Sequence, residues 1–97
     1  MQKIYIAGHR GLVGSALTRA IDLRNDAEWV GKGREDLDLL DRDAVFNFLA
    51  EEKPDVVIVA AARVGGIMAN STYPVEFLSE KLRILTNLHA GSHAANI

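Results

Sequence analysis

The 97-residue chain predicts an α/β fold, a parallel sheet covered by helices on both faces. Three observations carry this expectation. A short apolar run at Ile4-Tyr5-Ile6-Ala7 meets a glycine-rich turn and then a helical pattern. The segment Val56-Val57-Ile58-Val59-Ala60 is apolar at every position and rich in β-branched residues, which suits a strand buried on both faces. Strand-like and helix-like stretches alternate along the whole chain, without repeats or low-complexity linkers.

The first strand is expected near Lys3 to Ala7. A helix follows from about Gly11 to Leu23, with Leu12, Val13, Ala16, Leu17, Ala20 and Ile21 as its apolar positions. Asn25 and Asp26 break it, and Glu28-Trp29-Val30 reads as a short second strand. Asp41 is placed to cap a second helix whose apolar face is Val45, Phe48 and Leu49, and Pro54 stops that helix. The third strand is the run from Val56 to Ala60. Gly65-Gly66 opens a loop, and Pro74 suits the first turn of a long final helix with the stripe Val75, Leu78, Leu82, Leu85 and Leu88. The expected order is β-α-β-α-β-α with right-handed crossovers and a sheet ordered 3-2-1.

Composition narrows the function classes. A net charge of -2 offers no basic surface for nucleic acid and no polybasic membrane anchor. The absence of cysteine rules out disulfides and thiolate zinc sites, and no apolar run is long enough to span a bilayer. With a strand at the N-terminus in place of a signal peptide, a cytoplasmic protein is expected, and the sequon Asn70-Ser71-Thr72 is a polar loop. His89 and His93 lie one helical turn apart, a spacing that could bind zinc. No third ligand is suitably spaced, so no metal site is expected.

The glycine turn is Gly8-His9-Arg10-Gly11-Leu12-Val13-Gly14, set between strand and helix as a dinucleotide pyrophosphate site requires. Glycine lets a pyrophosphate approach the backbone, and the free N–H groups of the helix start then meet it, assisted by the helix dipole. His9 is expected to hold the shape of this loop. Charge bears on which nicotinamide cofactor would fit. An NAD site places a carboxylate at the end of the second strand, whereas here Val30-Gly31-Lys32-Gly33-Arg34 is basic. Arg34 and Arg10 are the candidates for a 2′-phosphate, because a guanidinium presents forked donors to phosphate oxygens. Each alone would read as a solvated loop charge; with the acid missing, the two together favour NADP.

These residues resemble the extended short-chain dehydrogenase/reductases: Gly-x-x-Gly-x-x-Gly after the first strand, Asp-Leu-x-x-x-Asp after the second, and Ala-Ala-Ala closing the third. Within that group, three stretches resemble the GDP-L-fucose synthase family. They are Ile6 to Ala16, Leu37-Asp38-Leu39-Leu40-Asp41, and Ala60 to Asn70 followed by Thr72-Tyr73-Pro74. The resemblance spans essentially the whole chain, with Arg63 standing where lysine is expected. It implies the N-terminal part of a Rossmann domain that binds NADP(H), in an enzyme converting GDP-4-keto-6-deoxy-D-mannose to GDP-L-fucose. By the same resemblance, Asp38 and Leu39 edge the adenine, and Ala60, Ala61 and Ala62 line the cofactor's path beside the pyrophosphate and ribose. The alanines could equally serve close helix packing.

The family's proton donor is a tyrosine with a lysine four residues on, whose charge lowers a phenol pKa from about 10. Here Tyr5 is followed by His9 and Tyr73 by Phe77, so no catalytic residue is assigned, and the catalytic and GDP-sugar portions are expected to be absent from residues 1–97. The chain alone is therefore expected to be inactive. The alternative is a stand-alone nucleotide-binding or interaction module. A phosphoacceptor receiver domain is excluded, since the third strand ends in alanines and not in the aspartate it needs. In a sheet ordered 3-2-1 the outer edge of the first strand would be open. That edge and the stripe of the final helix predict a homo-oligomer formed through either of them, or by exchange of the helix.

Overall fold

The computed structural model describes residues 1–60 and 75–97, with side chains in the final helix described from residue 82 onward. Its elements are β1 (Gln2–Ala7), α1 (Leu12–Asp22), β2 (Ala27–Val30), α2 (Arg42–Glu52), β3 (Val56–Val59) and α3 (Val75–Ala94). This is the expected alternation of strands and helices in a parallel sheet.

The strand order differs from the expected 3-2-1. The sheet runs β2-β1-β3, with β1 in the centre. Gln2 to Tyr5 pair in register with Ala27 to Val30, and Ile4 to Ala7 pair with Val56 to Val59. The expectation of an open β1 edge therefore fails: β1 is bonded on both sides, and within the described sheet the unpaired edges belong to β2 and β3. The expectation that β3 is buried on both faces holds only in part, since all four of its residues are half-buried with apolar packing on both faces. Val57 and Val59 pack on one face of the sheet and Val56 and Ile58 on the other, yet β3 is an edge strand.

Alternation along β1 divides the core in two. Ile4 and Ile6 point toward α1, where they join Ile21 and Ala27, with Leu17 and Trp29 packed around them. Tyr5 and Ala7 point the other way and meet Leu37, Val45 and Leu49 with Leu88 from α3. Phe48 meets Tyr5 edge to face at 4.8 Å between ring centres.

Local chemistry explains the helix ends. Asp41 caps α2 as expected, its carboxylate accepting from the Ala44 N–H at 3.1 Å. The helix ends at Glu52 because Lys53 turns left-handed (φ 46°), a residue that the following Pro54 would in any case keep out of helical geometry. In α3 the expected stripe holds at its C-terminal end, where Leu88 is buried and Leu85 half-buried, whereas Leu82 is 63% exposed; Ile84 and, just past the helix, Ala95 also pack on the core. Two small or polar residues tighten this face. Gly91 lies against Leu49 and Phe46 of α2, and Asn87 donates to the Leu39 carbonyl at 2.9 Å. Val75, Leu78, Pro74 and Gly65-Gly66 carry expectations that lie outside the described residues or side chains. Among the described residues no helix is long and apolar enough to cross a membrane.

Candidate dinucleotide-binding site

The end of β1 and the start of α1 meet in the loop from Gly8 to Gly14. Gly8 has φ 87°, a left-handed conformation that costs a residue with a side chain about 1–2 kcal/mol. The loop closes on itself through a bond from the Gly11 N–H to the Gly8 carbonyl at 3.1 Å. Gly14 sits against that same carbonyl so closely that a Cβ there would overlap it and the adjoining backbone. Both glycines are thus required by the loop itself, before any ligand is considered. Gly11 is different, because a Cβ would stand at ordinary contact distance.

The helix start is open. Gly11 occupies the cap position with no side chain to satisfy the first turn, and that turn contains no acidic residue. The first bond of the helical ladder runs from the Ser15 N–H to the Gly11 carbonyl at 2.8 Å, which leaves the N–H groups of Leu12, Val13 and Gly14 without intrahelical acceptors. Three converging N–H donors at the positive end of a helix dipole fit a phosphate. Leu12 and Val13 themselves are 80% and 61% exposed, an apolar surface at the mouth of the loop.

His9 leaves the loop toward β2. Its ring lies 5.6 Å from the Trp29 ring centre and covers Gly31, where a Cβ would strike the imidazole. Trp29 is itself anchored by donating from Nε1 to Asp22 at 2.9 Å. Arg10 is exposed and donates to the Glu35 carboxylate at 3.1 Å. Arg34, one residue earlier, is exposed and forms no ion pair among the described residues. The structure therefore brings Arg10 and the segment carrying Arg34 to the same corner. Glu35 is held below the usual carboxylate range by its own backbone N–H and then by Arg10. Neither Trp29, Gly31 nor Glu35 was singled out from sequence. Glycines at both 31 and 33, flanking a basic segment, were the available trace of side chains folding back over the backbone.

Asp38 accepts from the Leu40 N–H at 3.0 Å, and Leu39 is tied to α3 through its carbonyl, so both belong to a braced turn ahead of α2. Ala60 continues the β1 pairing by donating to the Ala7 carbonyl at 2.8 Å, at the same end of the sheet as the glycine loop. Ala61, Ala62, Arg63 and Tyr73 lie outside the described residues. Tyr5, pushed up to about 12 by burial, is a core residue that keeps its proton. His89 and His93 are both exposed, and among the described residues no three metal-ligating side chains gather. A cleft of about 720 Å³ opens on the far flank between β3 and α3, lined by Val56, Val57, Val59, Leu85, Leu88 and His89. It shares no residue with the glycine loop.

A strand, a left-handed glycine, an uncapped helix start and a parallel sheet define an NAD(P)-binding domain. The chain belongs to the NAD dependent epimerase/dehydratase family, which it matches over residues 4–97. It is 46% identical over 96 residues to the GDP-L-fucose synthase of Escherichia coli (strain K12), covering 99% of this chain and 30% of that protein. It is 49% identical over 86 residues to the putative GDP-L-fucose synthase 2 of Arabidopsis thaliana, covering 89% of this chain and 26% of that one. The fold is similar, at a TM-score of 0.86 and 38% identity, to a GDP-D-glycero-L-gluco-heptose synthase from Campylobacter jejuni solved in the presence of NADPH; 99% of this chain and 28% of that one are covered. The chain thus spans less than a third of the length of these relatives and matches the N-terminal part of GDP-L-fucose synthase-like epimerase/reductases.

Proposed function

We propose that residues 1–97 are the NADP(H)-binding N-terminal segment of a GDP-L-fucose synthase-like oxidoreductase and epimerase, one that converts GDP-4-keto-6-deoxy-D-mannose to GDP-L-fucose. The observation that carries this reading is the uncapped start of α1 beneath the left-handed Gly8. It presents unpaired N–H donors where a dinucleotide pyrophosphate belongs. Gly8, Gly11 and Gly14 bring the backbone within reach of the phosphates, and His9 fixes the loop against Trp29. Leu12 and Val13 flank the bound dinucleotide, while Ala60, Ala61 and Ala62 line its path and Asp38 and Leu39 edge the adenine. Arg10 and Arg34 select the 2′-phosphate, in the absence of the acid that an NAD site would carry at the end of β2. When bound, the nicotinamide supplies hydride. This segment binds and orients the cofactor and has no Tyr-x-x-x-Lys to deliver a proton, so it does not turn over by itself. We place it in the cytoplasm, since no cysteine of residues 1–97 calls for an oxidising compartment.

Calorimetric titration of the chain tests this directly. NADP+ and 2′,5′-ADP bind more tightly than NAD+, and Arg34→Ala narrows the difference without abolishing binding. Equal affinities for NADP+ and NAD+ in the unmodified chain would overturn the assignment. Incubation with the GDP-keto sugar and NADPH gives no turnover above background, and chain-dependent NADPH oxidation would refute the predicted inactivity.

A further inference from the structure

Arg10 is not free. Its guanidinium donates to Glu35, 25 positions away in sequence, and both side chains stand at the surface, 67% and 62% exposed. Glu35 is held in place from a second side. Its carboxylate folds back over Gly33, so closely that a Cβ on Gly33 would collide with the carboxylate atoms. A carboxylate with two oxygens thus lies against the one guanidinium of the glycine loop, beside Arg34.

We propose that Glu35 is a specificity-determining residue that acts as an internal stand-in for the cofactor's 2′-phosphate, occupying Arg10 until a phosphate of higher charge displaces it. This inference rests on the assignment of Arg10 and Arg34 to the 2′-phosphate. The phosphate must take the Glu35 position on Arg10, and two anions cannot share that corner without repulsion. Glu35 therefore lowers the affinity for adenosine nucleotides that carry a 2′-phosphate and leaves those without one untouched. The contact is monodentate and exposed, a class worth little in water, so exchange is easy.

The test is calorimetry on the full chain with 2′,5′-ADP and with 5′-AMP, which lacks the 2′-phosphate. In Glu35→Gln, 2′,5′-ADP binds about threefold more tightly, the size expected for removing one exposed ion pair, and 5′-AMP is unchanged. Gly33→Ala moves affinity in the same direction, because the new methyl displaces the carboxylate while Glu35 keeps its charge. Carbon-detected NMR of the Glu35 carboxyl shows its resonance moving toward that of a free glutamate as 2′,5′-ADP is added to the unmodified chain. Unchanged or weakened 2′,5′-ADP binding in Glu35→Gln, with the unmodified chain still preferring 2′,5′-ADP over 5′-AMP, overturns the role of Glu35 alone. An unmodified chain with no such preference overturns the 2′-phosphate assignment and the role of Glu35 together.

Discussion

The starts of α1 and α2 solve the same problem in opposite ways. Each helix leaves N–H groups without intrahelical acceptors. At α2 the protein answers from within: Asp41 accepts from Ala44, and Asp43 places a second negative charge in the first turn. At α1 it does not answer. The cap is a glycine, the first turn has no acid, and exposed Leu12 and Val13 surround the unpaired donors. The far end of α1 is by contrast closed, with Arg24 and Asp26 joined by two bonds of 2.7 Å in the turn to β2. This asymmetry is what the proposed function uses, with the pyrophosphate placed at the open end. Asp41 supplies an anion to α2 permanently, while in the function proposed above α1 would take one from the bound dinucleotide.

The most severe way to break this comparison is to lift the loop off the helix. Gly14→Val drives a branched side chain into the Gly8 carbonyl, and the expected cost is about 3 kcal/mol in urea unfolding, with NADP+ binding lost. A more discriminating change gives α1 what α2 already has. Gly11 has φ -75° and ψ 176°, which any residue adopts, so Gly11→Asp builds a cap without strain. Stability is then level or better by a few tenths, about 0.3 kcal/mol, because glycine is itself a tolerable cap. NADP+ affinity falls about tenfold by calorimetry, since the new carboxylate repels the pyrophosphate and takes its donors. Unaltered affinity would show that the phosphates sit elsewhere.

The reciprocal change belongs to α2. Asp41→Ala removes the cap and costs about 1 kcal/mol in unfolding free energy, with no change in nucleotide binding. The smallest effect is at the closed end of α1. Asp26 is lowered from its ordinary value to about 2, chiefly by the hydrogen bond from Arg24. A carboxylate with a depressed folded-state pKa contributes stability that is present above its unfolded value and lost as pH falls through its folded one. The Arg24–Asp26 contribution therefore fades between about pH 4 and pH 2. Asp26→Asn flattens acid unfolding slightly in that window and leaves it unchanged above pH 5. Both side chains are exposed, which keeps the effect small.

The local features of this molecule were legible in its residues. Gly8 and Gly14 announce a tight loop, Asp41 a cap, and Val56 to Val59 a strand apolar on both faces, because each depends on a residue and its near neighbours. The glycine loop was legible for the same reason, being built from one β-loop-α unit, whereas Arg34, Asp38, Leu39 and Ala60 come from other segments of the chain. What the sequence left open was decided by contacts between distant segments. Side chains encode which faces of a strand are buried, but edges are made of backbone N–H and C=O groups that nearly every residue carries alike. Nothing in Ile4 to Ala7 distinguishes a central strand from an edge, and the placing of β3 beside β1 waited on the docking of α2 and α3. The seat of α3 also uses Gly91 against α2 and Asn87 on the Leu39 carbonyl, a small residue and a polar one that a search for leucines passes over. The pairing of Arg10 with Glu35 and the seat of His9 on Trp29 likewise join residues far apart in the chain. Such contacts exist only once the sheet has brought the end of β2 alongside the glycine loop.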